Sequence, residues 1–111
     1  MADWIIVVDD DENNLMMAGH ILSTAHMKVT AMKSGRDLLA FLKEREVPDL
    51  ILLDIKMPGM DGFETLTELR KLEKAKEVPV IFLTADDKSE TEAIGLSLGA
   101  VDFIKKPFVP E

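Results

Sequence analysis

The sequence predicts an α/β fold: one open, parallel β-sheet with helices on both faces. Three observations predict it. Five short apolar runs, at residues 4–8, 27–31, 50–53, 78–83 and 101–104, are rich in Val, Ile, Leu and Phe. Several are continuously apolar rather than alternating, as strands buried on both faces of a parallel sheet are. Each gap between runs has room for one helix, and helical signals fill all four gaps. The resulting order is β-α-β-α-β-α-β-α-β, with right-handed crossovers.

The elements follow in order. The first run, Trp-Ile-Ile-Val-Val, stops directly at Asp9. Leu15, Ala18, Leu22 and Ala25 recur at three- and four-residue spacing and predict the first helix. After the second run, Ser34 and Asp37 stand in capping-box positions ahead of Leu38, Leu39, Phe41 and Leu42, the apolar positions of the second helix. The third run meets Asp54. A Pro58-Gly59 turn follows, then a second capping-box pair, Asp61 and Glu64, before Phe63, Leu66, Leu69 and Leu72. The fourth helix is the weakest. Ala93, Ile94, Leu96 and Leu98 supply its apolar positions, Gly95 sits inside it, and Gly99 is placed to end it. No repeat, linker or low-complexity segment interrupts the pattern.

Composition bounds the function. A chain of 111 residues that is 47% hydrophobic is expected to form one domain with one core. There is no cysteine, which excludes disulfides, thiolate metal sites and cysteine nucleophiles and fits a reducing, cytoplasmic compartment. No apolar run approaches the ~18 residues of a membrane helix, and residues 1–4 lack the features of a secretory signal. Thirteen basic against 21 acidic side chains give a net charge of −8. That balance argues against direct binding of nucleic acid or an anionic membrane and is compatible with a cation ligand.

In an open parallel sheet, ligands bind beyond the carboxyl ends of the strands. Asp9, Asp10, Asp11 and Glu12 follow the first run, Asp54 the third, Thr84, Ala85 and Asp86 the fourth, and Lys105, Lys106 and Pro107 the fifth. Carboxylates gathered at a partly buried edge repel one another unless a cation neutralises them. Mg²⁺ prefers oxygen ligands and commonly takes one or two carboxylates plus a phosphate. With a lysine on the same rim, the set suits a phosphoryl group attacked by a carboxylate. The Pro-Gly turn after Asp54 can aim a backbone carbonyl, such as that of Lys56, at the metal.

At this point a resemblance becomes specific. Val7-Val8-Asp9-Asp10-Asp11, the stretch Asp54-Ile-Lys-Met-Pro-Gly-Met-Asp-Gly62, Leu83-Thr84-Ala85, Gly99-Ala100 and Lys105-Lys106-Pro107-Phe108 occur in the order and spacing of bacterial response regulator receiver domains. The chain resembles that family over nearly its whole length. The resemblance implies a flavodoxin-like, doubly wound, five-stranded sheet in the order 2-1-3-4-5, here without the family's usual fifth helix. It also implies that residues 1–111 are one receiver domain, read as a fragment of a longer response regulator. By the same resemblance, Asp54 accepts a phosphoryl group from a histidine kinase or phosphotransfer protein. Asp9, Asp10, Asp54 and the Lys56 carbonyl serve Mg²⁺, with Asp9 acting largely through water. Lys106 pairs with the phosphoryl group, helped into the site by a cis bond to Pro107. Thr84 and Phe103 form the switch that relays the state to an output domain or partner. Lys56 and Asp86 tune the phosphoryl lifetime. A missing fifth helix would leave apolar surface on one side of the sheet, so a homodimer is a further expectation.

Plainer readings exist for each residue. One of Asp9, Asp10 and Asp11 is expected to cap the first helix. Phe103 in a strand is ordinarily core, and Thr84 alone is more often a turn hydroxyl. His20 and His26 read as surface residues and the seven methionines as core and loop filler. Two other functions compete. One is an aspartate-nucleophile phosphatase of the haloacid-dehalogenase-like type, in which Asp9 attacks and Asp11, two residues on, does acid–base work. The other is a degenerate receiver that only binds. The complete set of Asp9, Asp10, Asp54, Thr84 and Lys106 speaks against a degenerate receiver, and the little room for a substrate pocket speaks against the phosphatase.

Overall fold

The computed structural model describes residues 3–85 and 89–106. The strands are β1 (Trp4–Val8), β2 (Lys28–Met32), β3 (Leu50–Asp54), β4 (Val80–Thr84) and β5 (Asp102–Lys105). Between them run α1 (Glu12–Thr24), α2 (Gly35–Glu44), α3 (Gly62–Leu69) with a 3₁₀ turn at Glu73–Ala75, and α4 (Ser89–Ser97). All neighbouring strands are parallel and their order is β2-β1-β3-β4-β5. This is the flavodoxin-like arrangement the resemblance implies, with four α-helices among the described residues.

The first expected run coincides with β1, and the other four differ from their strands by one or two residues. The fourth run begins at Val78, but the strand begins at Val80, because Pro79 has no N–H to donate to the ladder. β3 continues one residue further, to Asp54, which pairs in register with Leu83. The first helix stops at Thr24, so Ala25 becomes its exposed C-cap and not part of its apolar face. His26 then takes φ 63°, the left-handed conformation usually given to glycine after a helix.

Caps set the other helix starts. Asp11 accepts from Asn13 N at 2.8 Å and opens α1. Ser34 accepts from Asp37 N at 3.1 Å, the first half of the expected box. Asp61 and Glu64 make both halves of theirs. Each such cap is worth about 1 kcal/mol.

The core lies in two layers. On one side of the sheet, Leu38 and Leu42 of α2 and Leu66 and Leu69 of α3 pack against Ile6, Val8, Ile51, Leu53, Val80 and Phe82. Full burial of each such side chain contributes roughly 1.5–3 kcal/mol, which is what fixes α2 and α3 against the strands. On the other side, Leu15 and Ala18 of α1 cover Ile5, Val7 and Leu52. There Leu83 of β4 is fully buried, Ile81 is only partly buried and Ile104 of β5 is exposed.

Trp4 opens β1 at the amino edge of the sheet. Its Nε1 donates to Thr30 Oγ1 at 3.0 Å, its ring meets Phe41 edge-on at 6.0 Å, and Lys28 Nζ lies 5.0 Å from its centroid. Five residues of strand separate it from Asp9, about 16 Å at the strand rise. Titration with Mg²⁺ is therefore expected to leave Trp4 fluorescence nearly unchanged; a strong saturable quench would contradict this register.

At the other edge, α3 begins tightly against β3. Gly62 N donates to Ile55 O at 2.7 Å, and a Cβ on Gly62 would fall 2.4 Å from the Asp54 carbonyl oxygen. Gly62→Ala is expected to destabilise by about 2 kcal/mol in urea unfolding, since backbone must shift to admit the methyl. An unchanged or raised stability would show that the approach is looser.

Candidate functional site

Three strand ends build the site. β1 hands the chain to Asp9, whose N–H donates to Met32 O at 3.0 Å and whose Oδ1 accepts from Asp11 N at 2.9 Å. Those contacts fix the Asp9 carboxylate, which is fully buried. β3 ends in Asp54, buried at 2% exposure, and Asp10 is exposed beside them. One carboxylate oxygen from each of Asp9, Asp10 and Asp54 falls within 4.8 Å of the others. Lys106 follows β5, and its N–H donates to Thr84 O at 2.7 Å, tying the last two strand ends together. Its Nζ reaches Asp54 Oδ1 at 2.9 Å and Asp9 Oδ2 at 3.3 Å.

The sequence-predicted residues thus converge: Asp9, Asp10, Asp54 and Lys106 meet directly. Thr84 is buried at the end of β4, one strand over, and Lys56 is exposed two residues after Asp54. Phe103 is partly buried, its ring 5.6 Å from Phe82. Asp86, Pro107 and Phe108, and with them the expected cis bond, lie outside the described residues. The Asp11 side chain is engaged as the cap of α1, accepting from Asn13 N. Two glycines that shape the site were not marked as such by sequence: Gly62, packed on the Asp54 carbonyl, and Gly95, packed under Phe103. A glycine at a helix's first position or in its interior, where it weakens the helix, was the available signal.

The electrostatics follow from burial. Desolvation pushes the Asp54 carboxyl up to about 6, with the Asp9 charge adding to the rise and the Lys106 hydrogen bond opposing it. Burial pulls the Lys106 ammonium down, but its contacts with Asp54 and Asp9 outweigh this and hold it above the usual lysine value. One ammonium therefore faces several carboxylates, and Asp54 Oδ2 is buried with no hydrogen-bond partner among the described residues. An orphaned buried oxygen in an all-oxygen cluster fits a small, hard divalent cation. Such an edge can hold a metal, an anion bridged by metal and lysine, or a covalent adduct of Asp54.

The sequence model of the response regulator receiver domain family matches residues 5–111. The chain is 38% identical over 107 residues to response regulator PleD of Caulobacter vibrioides, covering 96% of this chain and 23% of that protein. It thus spans about a quarter of the length of this curated relative. In structure it is similar to the chemotaxis protein CheY4 of Vibrio cholerae, with a TM-score of 0.92 at 31% identity, covering 99% of this chain and 91% of that one. It is also similar to the receiver domain of sensor histidine kinase PA1611 of Pseudomonas aeruginosa, solved with magnesium in its active-site cleft. That match has a TM-score of 0.86 at 29% identity and covers 98% and 88% of the two chains.

The raised Asp54 value makes a signed prediction. A group whose folded value lies above its unfolded one gives stability that is complete below about pH 4 and is lost as pH rises through about 6. In metal-free protein, Asp54→Asn should remove this loss and be the more stable form at pH 7 by on the order of 2 kcal/mol. Added Mg²⁺ should stabilise the parent and erase the difference. Urea unfolding at both pH values, with and without Mg²⁺, measures it; a less stable Asn variant at neutral pH in chelator would contradict it.

Proposed function

Because the chain belongs to the response regulator receiver domain family, we propose that it is a phosphorylatable switch whose acceptor is Asp54. The observation that carries this reading is Lys106 Nζ held between Asp9 and Asp54 while Asp54 Oδ2 is buried with no hydrogen-bond partner among the described residues. In the transfer, an Asp54 carboxylate oxygen attacks phosphorus. The new O–P bond forms as the P–N bond to a donor histidine of a kinase or phosphotransfer protein breaks, and the imidazole leaves. Asp54 must be ionised for this, and with a value near 6 it is mostly so at pH 7.

Asp9, Asp10 and Asp54, with the Lys56 carbonyl, would hold Mg²⁺. When bound, that cation supplies positive charge to the phosphoryl oxygens and relieves repulsion among the carboxylates. Lys106 keeps Asp54 oriented before transfer and pairs with the phosphoryl oxygens afterwards. Thr84, at the end of the neighbouring strand, hydrogen-bonds a phosphoryl oxygen and draws its loop inward. Phe103 moves with it, shifting a two-state equilibrium that an output domain or partner reads. Lys56 and Asp86 tune how long the phosphoryl group survives. The product is a signal, not a released metabolite, so the domain is not a turnover enzyme. A homodimer, a cytoplasmic location, and the absence of direct contact with nucleic acid or membrane complete the proposal. The phosphatase reading is not favoured, since Asp11 is engaged as a helix cap, and the family match does not favour a degenerate binder.

Incubation with Mg²⁺ and acetyl phosphate should add one phosphoryl group per chain, base-labile and located at Asp54 by mass spectrometry. Chelator or Asp54→Asn should abolish it. Equal labelling of Asp54→Asn would move the acceptor elsewhere, and repeated turnover of a generic phosphate ester would restore the phosphatase reading.

A further inference from the structure

Gly95 is buried in the middle of α4, where glycine is a poor helix former. The space it leaves is filled. A Cβ on Gly95 would lie 2.4 Å from Phe103 Cζ and 3.0 Å from Phe82 Cδ2. The Phe103 ring therefore passes beneath α4 through the volume a side chain at position 95 would need. It lies tilted against Phe82 at 5.6 Å, and Phe82 in turn meets Phe63 edge-on at 5.2 Å, so the ring is held between α4 and a braced Phe82. Interiors are close-packed, and an overlap of this depth forces one group to move. Phe63 and Phe82 are braced by α3 and the central sheet; the ring on β5 and the helix above it are the freer pair. β5 is an edge strand, and α4 leaves Ile94 and Leu96 about half exposed.

We propose that Gly95 is the positioning residue of the Phe103 switch: the absence of a side chain at 95 is what lets the ring seat inward. The ring and the α4 backbone compete for one volume, so any motion of the ring is felt by α4. The connection to the site is short. Phe103 lies three residues before Lys106, and Lys106 is bonded through its N–H to the Thr84 carbonyl. A shift of the Thr84–Lys106 pair is thereby passed along β5 to the ring and, through the notch, to α4. This inference rests on the receiver reading above and names how that switch is coupled.

The test uses the 111-residue chain and a double-mutant cycle. Alanine at an ordinary helix-interior glycine raises the melting temperature. Here Gly95→Ala should lower it in the parent and raise it in the Phe103→Ala background, an inversion of sign that only competition for the notch produces. A second readout separates coupling from packing. By NMR, phosphorylation should shift the Val101 and Ile104 amides in the parent, and Gly95→Ala should reduce those shifts several-fold while Asp54 still labels. A rise in melting temperature in both backgrounds, or undiminished shifts at 101 and 104 in Gly95→Ala, would overturn the proposal. Failure of Asp54 to label in the parent would instead overturn the receiver reading and the switch with it, leaving the notch to be judged by the melting temperatures alone.

Discussion

The structure turns on one electrostatic constraint. A parallel sheet delivers the ends of all its strands to the same edge, and in this chain β1 and β3 end in carboxylates that burial strips of water. Two buried carboxylates a few ångströms apart, with a third beside them, repel strongly, and burial alone pushes Asp54 well above the ordinary carboxylate range. A single ammonium, from Lys106 at the end of β5, bridges the buried pair. Among the described residues, positive charge supplied by Lys106 and negative charge supplied by Asp9, Asp10 and Asp54 do not balance. That imbalance suits the edge to a divalent cation, and the phosphoryl transfer proposed above builds on it.

The rest of the fold serves to hold that edge still. Leucines of α2 and α3 clamp one face of the sheet and α1 covers β1 and β3 on the other. Asp9 is fixed by its N–H donating to Met32 O of β2 and by its carboxylate accepting from Asp11 N, and Asp54 by the close approach of Gly62. The opposite part, β5 and α4, is built differently. It carries Lys106 and Phe103 on an edge strand and leaves apolar side chains exposed at Ile94, Leu96, Val101 and Ile104. A firmly held acidic edge beside a less covered strand and helix is the arrangement the proposed two-state switch would use.

Much of this was legible in the sequence because it depends on local signals. Continuous apolar runs give parallel strands, and the residue that ends each run falls at the edge, so Asp9, Asp54, Thr84 and Lys106 could be gathered before any coordinates. The capping pair Asp61 and Glu64 behaved as read, since a capping box is set by neighbours three residues apart. What escaped was tertiary. Ala25 has helical spacing, yet the chain turns out at His26, which adopts a left-handed conformation that apolar spacing does not signal. Gly95 reads as a flaw in a weak helix, and its purpose appears only when Phe103, eight residues on, packs into the gap. The split of roles among the three leading aspartates is also invisible to spacing: Asp9 is buried, Asp10 exposed, and Asp11 a cap.

The most direct measurement of the central claim is paramagnetic. With Mn²⁺ in place of Mg²⁺, NMR line broadening at low occupancy should centre on the amides of Asp9, Asp10, Asp54 and Ile55, reach Lys106, and leave the Trp4 indole sharp at the far edge. Asp54→Asn should weaken it markedly. Broadening centred on another acidic stretch, such as Glu44 and Glu46, or none at all at Asp54, would mean that the three strand ends do not form a cation site.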